Sequence, residues 1–187
     1  MKRIAIIIIS LLLCSGTLLS AQERDRHNFE AGAGINIYGI LGAMGGPSRE
    51  FGPGIHFEYR YDYNDRVDFG GRLYYKYGEG RSAFTGEPTW GLVYNQVGLK
   101  AVTDYNMRPG KLARPYIGAG LGAGAIHTHR ISAQHNDDTD IYGTIGPRIG
   151  LQIWRLRLAL EFDFAFDGQY GFLSTETATS LTLSYTF

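Results

Sequence analysis

The sequence predicts an all-β chain: an eight-stranded antiparallel up-and-down transmembrane β-barrel, preceded by a cleavable signal peptide. Three observations carry that prediction. The last eight residues alternate without a slip, with Leu181, Leu183, Tyr185 and Phe187 on one face and Ser180, Thr182, Ser184 and Thr186 on the other. Period two is the signature of a strand, because successive side chains leave a pleated backbone on opposite sides. Seven further segments alternate in the same way, and the connections between them run long, short, long, short, long, short, long. Finally, the uniform face of nearly every strand is Leu, Ile, Val, Phe and Tyr, while ionisable residues gather on the other face. A soluble sandwich would put its charged face outward, and its connections need not sort by side. Short turns at one end and longer loops at the other belong to an outer-membrane barrel.

The N-terminus supplies an address. Lys2 and Arg3 precede the apolar run Ile4 to Leu13, and Ser20-Ala21 offers a small-residue cleavage site. Residues 1–21 therefore read as a secretory signal peptide and residues 22–187 as the barrel domain. A lipoprotein signal would need a small residue before Cys14, and Leu13 stands there. Cys14 is the single cysteine, so the exported domain has no disulfide and must take its rigidity elsewhere. The signal removes two of the 18 basic residues and none of the 18 acidic ones, leaving no field that would attract nucleic acid. After Ala21 no apolar run approaches the roughly 20 residues of a spanning helix. Without such helices, only a closed barrel satisfies every backbone group in lipid.

Strand one sets Phe29, Ala31, Ala33, Ile35 and Ile37 against Glu30, Gly32, Gly34 and Asn36; a Gly-rich loop, Gly39 to Pro53, follows. Strand two sets Ile55, Phe57, Tyr59, Tyr61 and Tyr63 against His56, Glu58, Arg60 and Asp62, and ends at an Asn64-Asp65 turn. Strand three sets Val67, Phe69, Gly71, Leu73, Tyr75 and Tyr77 against Asp68, Gly70, Arg72, Tyr74 and Lys76. A loop from Gly78 to about Trp90 leads to strand four, with Val97, Leu99, Ala101 and Tyr105 outside and Gln96, Lys100 and Asp104 inside. Past a turn at Asn106 to Lys111, strand five has Ile117, Ala119, Leu121, Ala123 and Ala125 outside and glycines 118, 120, 122 and 124 inside. The polar stretch His127 to Asp140 is the third long loop. Strand six sets Ile141, Ile145, Ile149, Leu151 and Ile153 against Tyr142, Thr144, Arg148 and Gln152, and reverses at Trp154-Arg155. Strand seven sets Leu156, Leu158, Leu160, Phe162, Phe164 and Phe166 against Arg157, Ala159, Glu161, Asp163, Ala165 and Asp167; a fourth loop, Gly168 to about Thr177, precedes the closing strand.

The inward face defines the candidate site, a lumenal polar network. Its acids are Glu30, Glu58, Asp62, Asp68, Asp104, Glu161, Asp163 and Asp167, and its bases are Arg60, Arg72, Lys76, Lys100, Arg148 and Arg157. An eight-stranded barrel is only wide enough for side chains to fill it. Unpaired charges there would be costly, so the groups are expected to pair across the barrel and plug it, with the strand-five glycines making room for long Arg and Glu side chains. Tyr63, Tyr105, Trp154, Tyr185 and Phe187 read as an interfacial girdle at the short-turn rim, Tyr77 and Trp90 as one at the other.

The whole exported domain resembles the small eight-stranded outer-membrane barrels related to OmpA and OmpX, porin-family barrels among them. The resemblance is carried by Pro115-Tyr116-Ile117-Gly118-Ala119-Gly120-Leu121-Gly122 and by the terminal Tyr185-Thr186-Phe187. It implies export to the outer membrane of a Gram-negative bacterium, contact with outer-membrane lipid, and a monomer. It also implies recognition of the C-terminal strand by the barrel-assembly machinery, with Tyr185 and Phe187 as the assembly signal. The family shares no catalytic residues.

No catalytic, cofactor or metal site is expected. Gly120-Leu121-Gly122-Ala123-Gly124-Ala125 approximates a dinucleotide fingerprint but lacks the helix that must follow it. His127, His129 and His135 with Asp137, Asp138 and Asp140 have ligand chemistry, yet read better as a solvated loop. His127 or His129 with Ser132 is the nearest approach to a hydrolase pair, and the short His-Ser spacing of the lipid A deacylases is absent. The expected role is structural or interactive (adhesion, an extracellular partner held by four loops, or envelope integrity), ahead of small-solute transport and then of lipid modification.

Overall fold

The structure is a computed structural model that describes residues 26–38, 50–81, 91–130, 138–167 and 171–187. The expected signal peptide lies outside these residues. Eight strands close into one antiparallel barrel in chain order: β1 (His27–Tyr38), β2 (Glu50–Asp62), β3 (Val67–Arg81), β4 (Gly91–Asn106), β5 (Ala113–Arg130), β6 (Asp138–Ile153), β7 (Leu156–Asp167) and β8 (Gly171–Thr186). Closure comes from β1 pairing with β8, Glu30 opposite Thr186 through Tyr38 opposite Ala178. The Phe187 N–H adds one bond, donating to the Phe29 carbonyl at 2.8 Å. No helix occurs among the described residues, so lipid contact falls to the strands.

The parity of every strand follows from its alternation. Phe57, Leu73, Leu99, Leu121, Ile145, Leu158 and Leu183 are exposed on the outside, Leu99 to 65%. The residues that alternate with them turn inward, with Glu58 1% exposed, Arg60 2% and, on β7, Arg157 3%. Strand four, where glycines and polar residues blur the pattern, holds Gln96, Lys100 and Asp104 inside. An apolar exterior around an ionic interior is stable only if the solvent outside is lipid. Leu99→Arg is therefore expected to destabilise the barrel by about 2–4 kcal/mol in bilayers, as for a midplane cation on a lipid face. Urea unfolding in vesicles, read by the mobility of the folded band on unheated gels, measures it.

The strands run further than their apolar alternation does. β2 starts at Glu50, so Gly52 and Pro53 pair with Asn36 and Ile35 instead of looping. β3 continues to Arg81, β5 to Arg130, β6 begins at Asp138 and β8 at Gly171. The four expected loops are shorter by those amounts, and what remains of them (39–49, 82–90, 131–137 and 168–170) lies outside the described residues. A spanning strand needs about 9–11 residues, and these have 12 to 18. Ladder hydrogen bonds persist beyond the hydrocarbon layer, where side-chain polarity no longer has to alternate.

The short connections are residues 63–66, 107–112 and 154–155, all at one end. Asn64 closes the first, its Oδ1 accepting from the N–H groups of Arg66 at 2.8 Å and Val67 at 2.9 Å. Gly110 takes the left-handed conformation in the second, with φ of 74°. The third puts Trp154 at φ of 55°, a costly place for a bulky residue. Its N–H donates to the Leu112 carbonyl at 3.1 Å, and its ring stands edge-on to Tyr185 at 6.5 Å. These contacts and its interfacial depth offset the strain. On β6, pairing with β7 passes from Ile145 opposite Phe164 to Arg148 opposite Glu161, skipping Gly146 and Pro147, because Pro147 has no N–H to donate.

Candidate functional site: the charged lumen

Inward parity alone brings six carboxylates (Glu30, Glu58, Asp68, Asp104, Glu161, Asp163) and six Arg or Lys cations (Arg60, Arg72, Lys76, Lys100, Arg148, Arg157) into a water-poor interior, all buried. Arg60, two residues before the end of β2, is the most connected. It forms ion pairs with Glu58 and Asp68, with Asp104 at 2.7 Å and with Glu30 at 3.6 Å. Arg157 enters from the opposite wall, 2.5 Å from Asp104 and 3.4 Å from Glu30. Arg148 Nε lies 3.1 Å from Asp104 Oδ1 without hydrogen-bond alignment, and its Nη1 donates to Glu58 at 3.4 Å.

Arg72 joins this cluster to a second one nearer the long-loop end. Its Nε donates to Glu58 at 2.5 Å and its Nη1 to Glu161 at 2.5 Å. Beyond it, Asp163 accepts from Lys76 at 2.7 Å and from Lys100, and the Lys76 ammonium also reaches Ser180 Oγ at 3.0 Å. Cations rest on rings as well: Arg157 sits 4.1 Å from the Tyr116 centroid, and Lys76 and Lys100 lie 5.3 and 5.2 Å from that of Tyr74. Because each guanidinium bridges two or more strands, the pairs cross-link the wall from inside. A lumenal cavity of about 20 Å³ between Asn36, His56, Arg72, Lys76 and Ser180 has room for a single water.

Glycines make this crowding feasible. Gly98 lies directly opposite Tyr74, Gly124 opposite Tyr142, Gly150 opposite Tyr116 and Gly32 opposite His56. In each pair the ring lies over the glycine, where a β-carbon would overlap it. The β5 glycines therefore serve rings and short reaches more than the long Arg and Glu chains: Gly118 accommodates Asp104, Gly122 Lys100 and Gly124 Tyr142. The rings were not among the candidate residues. Their signal was present as inward parity on one strand and glycine on the next, but the pairing register is needed to see it.

The remaining candidates lie elsewhere. Asp62 is half-buried at the short-turn rim and accepts from Asn28 at 3.4 Å. The side chain of Asp167 lies outside the described residues, as do Trp90, Ser132, His135 and Asp137. His127 and His129 occupy outward positions of β5, whereas Asp140 occupies an inward position of β6, and the side chain of Asp138 lies outside the described residues. Opposite parity thus separates the two histidines from Asp140. His127 Nδ1 meets Thr139 Oγ1 at 2.9 Å. Among the described residues no group of three His, Cys, Asp or Glu converges as a metal site would. Tyr185 and Phe187 pack edge to face at 5.2 Å beside Trp154.

A closed eight-stranded barrel with a greasy exterior and an ion-paired interior is an integral membrane barrel of the bacterial outer membrane. The model of the family described as "Outer membrane protein beta-barrel domain" matches residues 8–187, and the chain belongs to that family. Its place is accordingly the outer membrane of a Gram-negative bacterium, in contact with outer-membrane lipid. Similar solved structures include the outer membrane protein OprG from Pseudomonas aeruginosa (TM-score 0.61, 9% identity, covering 86% of this chain and 95% of that one). Neisserial surface protein A is another (TM-score 0.51, 15% identity, 86% and 94%). At such identities the likeness concerns the fold alone. No curated protein matches the sequence.

Proposed function

We propose that the protein is a non-enzymatic structural and surface-interaction barrel: a monomer that lets no solute through its lumen and works through the four connections at its outer end, in adhesion, partner contact or envelope integrity. The observation that carries this reading is the lumen itself, crossed by ion pairs that link facing walls, such as Arg72 to Glu161 and Arg60 to Asp104, and leave water-sized space beside them. A transport pore needs continuous width, and a hydrolase needs a base and nucleophile converging at a cleft. In this reading Tyr185 and Phe187 present the closing strand to the assembly machinery, and residues 1–21 direct export. Purified protein in planar bilayers is expected to give no resolved unitary conductance steps. Steps of uniform size from the intact barrel would overturn the closed-lumen reading in favour of a small-solute porin.

A further inference from the structure

The short-turn end of the barrel, periplasmic by the rule that such barrels keep their short turns inside, is basic. Arg26, Arg66, Arg108, Lys111, Arg114 and Arg155 stand before β1, in the three short connections or at the first residues of β5, against Asp62 and Asp65. Among the strand residues at the other end the balance of residue types reverses, with Glu50, Glu79, Asp138, Asp140, Asp167 and Glu176 against Arg81 and Arg130. The whole chain is formally neutral and the lumenal network is balanced, so neither accounts for a sorting of charge by side.

Two of the rim cations are tied to the aromatic girdle. Arg66 Nη1 donates to the Tyr105 hydroxyl at 2.8 Å. The Arg155 guanidinium sits 5.5 Å from the Trp154 centroid and donates to the Tyr185 hydroxyl at 3.4 Å. Tyr105 and Trp154 face outward and are exposed. Exposed Tyr and Trp rings settle at headgroup depth. A guanidinium held against them lies in the plane of lipid phosphates, and its planar fork suits a phosphate's two oxygens. We propose that this rim selects anionic glycerophospholipid headgroups of the periplasmic leaflet, with Arg66 beside Tyr105 and Arg155 beside Trp154 as two separate contact points and the remaining bases supplying attraction. An acidic peptide of the cell wall would meet the aqueous turns, where Arg108 and Lys111 are exposed, and would have no use for cations held beside girdle rings.

The chain has two tryptophans, so Trp90→Phe leaves Trp154 as the single reporter beside Arg155. The full barrel with that change is reconstituted in phosphatidylcholine vesicles holding a fixed fraction of phosphatidylglycerol, with one or the other lipid brominated. Quenching of Trp154 is expected to report phosphatidylglycerol enriched about fivefold over the bulk fraction at low salt, the size expected for one cation at a membrane surface. The enrichment should fall towards one at high salt and in Arg155→Gln, and stay high in Arg155→Lys, with the folded gel band present throughout. Quenching that follows the bulk fraction, or enrichment untouched by Arg155→Gln, would overturn the proposal. So would a lipid-indifferent rim whose arginines are instead required for binding isolated peptidoglycan.

Discussion

Arg60→Ala is expected to destabilise the folded barrel by about 3–5 kcal/mol, the range for breaking a buried ion pair from one side. Arg60 faces four carboxylates, and their fates differ once it is gone. Glu58 keeps Arg72 and Arg148, and Asp104 keeps Arg148 and Arg157. Asp68 keeps the amide of Asn106, at 3.1 Å, and among the described residues its ion-pair partner is Arg60 alone. The charge left behind on Asp68 therefore sets the cost. Arg60→Ala combined with Asp68→Asn should recover part of the loss, since the residual carboxylate is what the interior tolerates least. Lys76→Ala should cost less, because Asp163 keeps Lys100 as a partner. Urea titration of the three variants in the same vesicles, scored by the folded gel band, orders them. Equal stability of Arg60→Ala and the parent would mean that the network contributes nothing to holding the wall.

Gly118→Val is expected to be as damaging, by overfilling instead of unpairing. Gly118 lies opposite Asp104 on one side and Arg148 on the other. A β-carbon there would overlap both the Asp104 carboxylate and the backbone carbonyl of Thr103, and only the first of these has anywhere to go. Overpacking by itself costs about 1–3 kcal/mol. Displacing Asp104 adds to it, because Arg60 and Arg157 both lie against that carboxylate. Gly71→Ala is the internal control: Gly71 points outward and a β-carbon there meets nothing within 4 Å. Its gel shift and urea midpoint should stay near those of the parent, while Gly118→Val should fold in lower yield. A Gly118→Val barrel as stable as Gly71→Ala would show that the lumen is looser than these contacts require.

Much of this was legible in the chain. The alternation of Leu156 to Asp167 predicts β7 to the residue, because parity is enforced at every step where side chains face lipid or the lumen. The segments around Gly52, Arg130 and Gly171 lack the apolar alternation and are strand nonetheless, since outside lipid a backbone ladder needs no apolar side chains to persist. Twelve of the fourteen candidate lumenal residues are buried in the interior. Asp62 is half-buried: at the last residue of β2 the inward face already opens onto the rim.

Sequence by itself determined the number of strands, their faces and the sign of each lumenal group, because lipid and a narrow interior impose a binary choice on every successive residue. Partners were decided by the tertiary structure alone. Arg72 and Glu161, 89 positions apart, meet at 2.5 Å because barrel closure sets β3 facing β7 across the lumen. The same holds for the rings that lie over Gly98, Gly124 and Gly150. Those pairings depend on the stagger between neighbouring strands, a quantity fixed by the hydrogen-bonded circuit as a whole and written in no single segment.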